Sequence, residues 1–362
     1  MQGPPRLWMR HEARATERRA PLVPGDAARL VRESVSITVE ESPQRVFPID
    51  QYVRAGCITA PAGSWVEAPE DAYVLGLKEL PEEPRTLRHR HIFFGHAYKG
   101  QAGAADLLGR FTAGSGVLLD LEYLTDDSGR RLAAFGYWAG YMGAVLAVLH
   151  RRGALDTPLR PLGRRRWDDL LRASNGGARA LVVGALGRSG RGACDALETA
   201  GIDAVRWDVE ETRVLNRPAL LGHDILVNTV LVTRPTPPLL TPADLDAPQR
   251  RLSVVSDVSC DVGSECNVLP VYDTVTDWDQ PARRLREGDR ALDIIAIDNL
   301  PSLLPVESSV AFSAELWPQL LRLGAGDGAW VRCQSAFTRA IGENLTVEDA
   351  VAQTAKENTH AR

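Results

Sequence analysis

Residues 180–194, Ala180-Leu-Val-Val-Gly-Ala-Leu-Gly-Arg-Ser-Gly-Arg-Gly-Ala-Cys194, constrain the fold more than any other stretch. A short apolar run breaks into glycines at 184, 187, 190 and 192, and a helical pattern follows from Cys194. Strand, glycine turn, helix is the order that brings a helix N-terminus and its open N–H groups up to a phosphate. Asp208 closes the next apolar run, Ala204-Val-Arg-Trp-Asp208, near the spacing at which an acid meets a ribose hydroxyl. Together these features predict a dinucleotide site around Gly184, Gly187, Gly190 and Asp208. The spacing Gly184-x-x-Gly187-x-x-Gly190 is not the common G-x-G-x-x-G, and a ligand-free glycine turn in an α/β domain satisfies it equally well.

With 362 residues the chain has room for two domains and ample core. Hydrophobic residues make up 44% and charged residues 25%, and the net charge of −5 comes without long single-sign blocks. This profile argues against nucleic acid and membrane surfaces as partners. Arg164-Arg-Arg166 reads as a solvated helix face. The five cysteines are scattered and form no C-x-x-C, which speaks against zinc or thioredoxin-type chemistry, and no metal site is expected. Cys260 and Cys266 could pair, but reduced thiols in the cytoplasm are the default expectation. No signal core or apolar span of about 20 residues is present.

Strands are expected at Val35–Glu40, Tyr73–Leu77, His91–His96 and Val117–Glu122, with a first strand and helix within 6–30 and a segment of helical length at Gly103–Phe111. Residues 133–151 are small and apolar nearly all round, the pattern of a buried helix. A polar, Arg-rich connector covers 151–178. A second set of strands follows at 180–185, 204–208, 225–232, 252–258 and 294–297. Pro301 and Pro305 limit helix there, a helix near 309–323 returns the chain, and roughly the last 25 residues are polar and expected to fray. Strands alternating with helices imply parallel sheets, whose ligands gather beyond the C-terminal strand ends. Arg19, Lys78, His96, Lys99 and Glu122 fall at or near such ends.

Lys78 and His96 are the candidates for proton transfer. A partly desolvated lysine near other cations can lose its proton near neutral pH, and histidine titrates there unaided. Taken singly, a lysine at a strand end is more often a solvated charge and a histidine more often structural. Glu79 and Glu122 would tune the pair by adding negative charge, or would merely balance the surrounding cations. Arg18, Arg19, Lys99, Arg130 and Arg131 suggest a substrate with several carboxylates, since guanidinium binds carboxylate in a bidentate fork. Gln101 adds a neutral donor. Some of these cations could equally pair with surface acids.

Longer motifs sharpen this. Pro61-Ala-Gly-Ser-Trp65, Gly76-Leu-Lys-Glu79, His96-Ala-Tyr-Lys-Gly-Gln-Ala-Gly103, Asp120-Leu-Glu122, Gly129-Arg-Arg-Leu-Ala-Ala-Phe-Gly136, Gly184-Ala-Leu-Gly-Arg188, Trp207-Asp-Val-Glu-Glu-Thr212, Asp257-Val-Ser259 and Ile297-Asp-Asn-Leu-Pro-Ser-Leu-Leu-Pro305 lie in order along roughly 10–335. In these motifs the chain resembles the NAD-dependent, lysine-forming saccharopine dehydrogenases of fungi. It is more distantly similar to alanine dehydrogenase and the transhydrogenase domain.

The resemblance implies an α/β architecture of two Rossmann-like domains with parallel sheets flanking a cleft. A discontinuous substrate and catalytic domain would comprise 1–132 plus 309–362, and an NAD-binding domain 133–308. It implies Lys78 as the base that takes the secondary-amine proton and His96 as the acid/base for imine hydrolysis. Arg19, Gln101, Arg131 and Phe135 fall on substrate-binding positions, with Lys99 nearby. Arg188, Ser189, Asp208, Thr212, Leu231, Val258, Ile297, Asp298, Asn299 and Leu300 fall on positions that contact NAD, with Arg130 beside the cofactor. The implied partners are small molecules: saccharopine, or lysine and 2-oxoglutarate.

There are departures. A cysteine pair expected near the cofactor is replaced by Ser189 and Thr229, and a tyrosine position is Leu231. A histidine position is Asn299, after Asp298. The first two bear on cofactor affinity and the last on the substrate. A related opine-type dehydrogenase joining another amine to a 2-oxo acid, or a non-catalytic NAD-binding regulator, remain alternatives.

Overall fold

The computed structural model describes residues 4–98, 101, 103–232 and 234–343. They form two compact units, one drawn from the chain up to Ala134 and from Ser309 onward, the other from Phe135–Ser308. Each unit is built on a six-stranded sheet.

The first unit runs β1 (Arg6–Met9), α1 (Pro24–Arg32), β2 (Ser36–Glu40), α2 (Ile49–Arg54), β3 (Ile58–Ala60), β4 (Tyr73–Leu75), β5 (Arg90–Phe93), α3 (Ala104–Gly114) and β6 (Val117–Asp120). The strand order is β3-β2-β1-β4-β5-β6, and every pairing is parallel. The chain therefore starts in mid-sheet, winds outward to β3, and crosses back to β4. The reversal between β1 and β4 is a topological switch point, where open parallel sheets leave a crevice beyond the strand ends. Burial along β2 is continuous from Ile37 to Glu40 instead of alternating. Strand β3 carries no sequence signal: it is a three-residue edge, exposed at Ile58 and Thr59.

The second unit runs α4 (Gly136–Arg151), α5 (Arg164–Ala173), β7 (Ala180–Val183), α6 (Arg188–Thr199), β8 (Ala204–Trp207), α7 (Val209–Arg213), α8 (Arg217–Leu221), β9 (Ile225–Asn228), β10 (Val254–Asp257), β11 (Arg283–Arg286) and β12 (Leu292–Ile295). The order is β11-β12-β10-β9-β7-β8, parallel except for β11. Successive residues of β7 enter opposite cores: Ala180 and Val182 pack on one face, Leu181 and Val183 on the other. A sheet covered on both faces needs an unbroken apolar strand, which is what the sequence shows at 180–183. The switch point here lies between β7 and β9.

Helix α4 is buried continuously from Gly140 to Leu149. It crosses α6 backbone against backbone: a Cβ at Gly140 would lie 1.7 Å from the Ser189 carbonyl oxygen. Among the described residues no helix is long and apolar enough to cross a membrane. The polar connector contains α5, whose Trp167 and Leu171 are buried one turn apart while its arginines face outward. Edge strand β11 went unread because Arg283-Arg-Leu-Arg286 has no apolar alternation. Its register is held by charge, Arg284 to Asp293 at 2.6 Å, with Arg286 bound to Asp246 at 2.6 Å. Pro305 opens α9 (Pro305–Leu320) instead of blocking it, since proline is tolerated in a first helical turn. A final helix, α10, occupies 328–343 and runs a few residues into the roughly 25-residue stretch where fraying is expected; residues from 344 lie outside the described residues.

In the first unit β5 carries His91 into the interior, where it is fully buried. Trp65 and Phe111 approach its ring edge-on at 5.2 and 5.4 Å. Neither ring nitrogen has a hydrogen-bond partner among the described residues. Burial, aided by Arg10 and His89, holds its pKa well below the ordinary histidine value. The unfolded chain, with a histidine pKa of about 6.5, therefore binds the proton that the folded protein refuses. Stability falls as pH drops through that value. Replacing His91→Phe should remove this acid-side loss. The urea midpoint of the wild type relative to the variant should decline below about pH 6.5 and stay level above it; parallel decline in both proteins would show that His91 is not the source.

Candidate active site

Lys78 follows β4 in the loop Gly76-Leu-Lys-Glu79, at the switch point of the first sheet. Its backbone is held by the neighbouring loop after β1. Glu12 accepts from the N–H of Leu77 at 2.7 Å and of Lys78 at 3.0 Å. Arg10, ion-paired with Glu12 at 3.3 Å, donates to the Lys78 carbonyl. Both side chains are buried. The ammonium acts on two carboxylates. Burial pushes the Glu17 carboxyl up, but Arg19, with Lys78 adding to it, outweighs burial and holds Glu17 below the usual range. Burial likewise pushes Glu79 up, and hydrogen bonds from Arg14 together with the Lys78 charge bring it below.

His96 follows β5, the strand beside β4, so the two candidate proton carriers leave adjacent strand ends. Its φ of 48° is left-handed. Nδ1 lies 3.6 Å from Glu122 Oε1, and the ring stacks on Phe94 at 6.4 Å. Glu122 follows β6, the next strand. Asp120, buried at the end of β6, ties the two loops together. It accepts from Gly95 N–H at 3.2 Å, from Glu122 N–H at 2.9 Å, and from His96 N–H. Burial raises its carboxyl to about 7, with Glu122 adding to the rise and the N–H donors opposing it.

Arg19 is buried, and Glu17 grips its guanidinium at 2.8 and 2.6 Å. Arg18 is exposed. Arg130 is exposed and bound to Asp126 at 3.1 Å within its own turn, while Arg131 pairs with Thr125 in a β-bridge. The Gln101 carbonyl accepts from Ala104 N–H at 3.1 Å. Phe135 belongs to the second unit, at the N-terminus of α4. Lys99 lies outside the described residues.

In the second unit the glycine loop joins β7 to α6. Gly184 has φ of 80°, a left-handed conformation that glycine adopts without steric cost. The N–H groups of Gly184 and Ala185 both donate to the Trp207 carbonyl, at 2.9 and 3.0 Å. A Cβ at Gly190 would lie 2.1 Å from the Gly184 carbonyl oxygen, so the first turn of α6 closes directly over the loop. Gly187 caps α6, with Arg188 and Ser189 in its first turn. Asp208 follows β8; its carboxylate accepts from Leu186 N–H and from Val209 N–H, both at 2.9 Å. Thr212 donates to the Asp208 carbonyl at 2.8 Å, and Thr229 Oγ1 donates to the Val183 carbonyl at 2.8 Å. A glycine-rich loop, a twelve-residue helix pointing its N-terminus at it, and a carboxylate with lone pairs to spare form a donor set that fits a dinucleotide.

Of the other cofactor candidates, Leu231 is 58% exposed. Val258 and Leu300 pack against Gly143 of α4. Ile297 bridges to Thr276, Asp298 is exposed, and the buried Asn299 leads into the turn Leu300–Leu303. Beside them Asp257 collects Asn228 at 2.9 Å, Ser259 Oγ at 2.6 Å and the Tyr272 hydroxyl at 2.7 Å. No local sequence pattern marks Arg10, Glu12 or Glu17 as part of the site. For Asp120 and Asp257 a signal existed: each is the lone acid ending an apolar strand.

The Asp120 carboxyl titrates higher in the folded protein than in the unfolded chain. It therefore favours folding fully below about pH 4, and that contribution is lost as pH rises through about 7. Asp120→Asn cannot accept at both positions and should lower stability by about 1–3 kcal/mol. The deficit should be largest in acid and shrink toward pH 7; a deficit independent of pH would refute the assignment.

The alanine dehydrogenase/PNT N-terminal domain family matches residues 8–142, and the alanine dehydrogenase/PNT C-terminal domain family matches residues 178–349. Among solved structures, an L-alanine dehydrogenase superposes with a TM-score of 0.64 at 16% identity, covering 92% of this chain and 94% of that one. A transhydrogenase from Sinorhizobium meliloti gives 0.59 at 16% identity, covering 90% and 97%. These likenesses establish the two-sheet α/β fold. The saccharopine dehydrogenase (NAD(+), L-lysine-forming) of Schizosaccharomyces pombe is 41% identical, over 93% of this chain and 98% of its own length. That of Emericella nidulans is also 41% identical, over 94% and 98%. With such identity held across nearly the whole of both chains, this protein belongs to the saccharopine dehydrogenase family.

Proposed function

We propose that this chain is an NAD-dependent saccharopine dehydrogenase, which oxidises the secondary amine of saccharopine and, with water, reversibly releases L-lysine and 2-oxoglutarate. The observation that carries the reading is the placement of Lys78 and His96 at adjacent strand ends, each beside carboxylates. The first unit carries the chemistry and Phe135–Ser308 carries the cofactor.

Lys78 takes the proton from the secondary-amine nitrogen, so that the nitrogen lone pair can drive formation of the C=N bond. NAD, when bound, supplies the hydride acceptor. His96 takes a proton from water as oxygen adds to the imine carbon, then returns one to nitrogen as the carbinolamine collapses to ketone and amine. Glu122, at 3.6 Å, stabilises the imidazolium formed in between. Glu17 and Glu79 hold the Lys78 ammonium in place electrostatically. Arg19, Lys99 and Arg131 receive substrate carboxylates, with Gln101 and Phe135 completing the contacts. Gly184, Gly187 and Gly190 admit the pyrophosphate, and Asp208 receives the adenosine ribose. Arg130, Arg188, Ser189, Thr212, Leu231, Val258 and Ile297–Leu300 complete the cofactor contacts. Five thiols without disulfides suit a reducing compartment such as the cytoplasm.

Lysine plus 2-oxoglutarate should drive consumption of NADH. Single Lys78→Met and His96→Gln changes should each lower kcat by roughly 10²–10⁴-fold, and the double variant should be essentially inactive; wild-type rates in the double variant would sink the assigned roles. A panel of other amines and 2-oxo acids tests whether Asn299 has moved the substrate.

The Asp208 carboxylate meets a 2′-phosphate unfavourably, and Arg213 is occupied by Glu210 at 2.9 Å. NADP should therefore be a poor substrate, and Asp208→Ser should narrow the gap in kcat/KM between the two cofactors. An unchanged ratio in that variant would remove Asp208 from the ribose.

A further inference from the structure

Lys78 has a four-carbon stem and wide rotamer freedom. Placing its nitrogen within reach of a substrate proton therefore depends on how firmly its backbone is set. Both peptide groups flanking Lys78 are anchored by one buried ion pair. On the amino side, Glu12 accepts from the N–H of Leu77 at 2.7 Å and of Lys78 at 3.0 Å. On the carboxyl side, the Arg10 guanidinium donates to the Lys78 carbonyl. Arg10 and Glu12 are joined at 3.3 Å with side chains 1% and 5% exposed.

The loop is shaped to admit this pair. A Cβ at Gly76 would stand 2.4 Å from Arg10 Nε and 2.6 Å from its Nη2, so only glycine leaves room for the guanidinium beneath the loop. The other side of Arg10 lies over the Phe93 ring at 5.7 Å. A buried ion pair is a poor source of stability compared with apolar residues of the same volume, and Arg10 Nε has no partner among the described residues. Stability alone does not account for the pair.

Glu17 and Glu79 differ from it in kind: they act on Lys78 by charge. The Arg10–Glu12 pair is neutral as a unit, and it acts on geometry. We propose that Arg10 and Glu12 are positioning residues that set the Lys78 backbone for proton abstraction. This rests on Lys78 being the base, as proposed above.

The test is a double-mutant cycle on the full-length enzyme: wild type, Glu12→Gln, Lys78→Met, and both changes together. Rates are expressed per site that binds NADH. In Glu12→Gln the amide places a donor against an N–H group and breaks the clamp. With Lys78 present, kcat should fall roughly 10- to 100-fold while KM for NAD is unchanged. In the Lys78→Met background the same change should cost nothing further. Equal fold losses in both backgrounds would overturn the proposal, since a merely structural pair weakens the enzyme whether or not Lys78 is present. If Lys78→Met itself keeps wild-type rates, it is the reading of Lys78 as base that fails.

Gly76→Ala supplies an independent arm should Glu12→Gln fold poorly. It expels the guanidinium while leaving both charges in the chain. It should reproduce the loss of kcat with Lys78 present and add none in Lys78→Met. Wild-type kcat in Gly76→Ala would also overturn the proposal.

Discussion

Carboxylates that accept backbone N–H groups, most of them buried, close the ends of the parallel strands, and the loops beyond those ends depend on them. A parallel sheet leaves its loops at the C-terminal edge with amide donors that no neighbouring strand can satisfy. In the first unit Glu40 accepts from His11, Gly63 and Trp65 N–H groups and from the Trp8 indole. Glu12 does the same for the β4 loop and Asp120 for the β5 and β6 loops. In the second unit Asp208 ties the glycine loop to β8, and Asp257 gathers the ends of β9 and β10. Loops that would otherwise wander are thus fixed from adjacent strands, at the cost of burying charge.

The two units share one topological feature and furnish it differently. Each sheet reverses direction beside its first strand. At the first reversal the loops present a lysine amid acids paired to arginines; at the second they present a glycine-rich turn and one carboxylate. The difference is written in side-chain size. In the second, Gly184 and Gly190 let the loop fold tightly under the first turn of α6. In the first, long charged side chains stand at the corresponding strand ends.

Much of the architecture was legible in the sequence, because its signals are local. The apolar run at 180–183, the glycines after it and the all-round apolar pattern of α4 each express a requirement met within a few residues. The edge strands β3 and β11 were not legible: three or four residues cannot show a period, and arginines mask one of them. The site divides along the same line. Lys78 and His96 could be singled out from strand ends, whereas Glu12 could not, since its partners lie more than sixty residues away. Nor did the run of arginines reveal that Arg19 is gripped by Glu17, two positions earlier. A charge pattern records which ions are near an edge and not how they pair.

His96 occupies the left-handed backbone region, which histidine, asparagine and aspartate enter more readily than other side chains but still at some cost, and β-branched residues hardly at all. Natural variation at this position is accordingly squeezed from two sides. Glycine, asparagine and aspartate suit the backbone but cannot shuttle a proton as imidazole does, and β-branched residues fail on both counts. With His96 in its proposed role, drift that relaxes the fold here removes the proton carrier. A lineage that gave up the reaction would be expected to lose this histidine early and gain thermal stability as it did so.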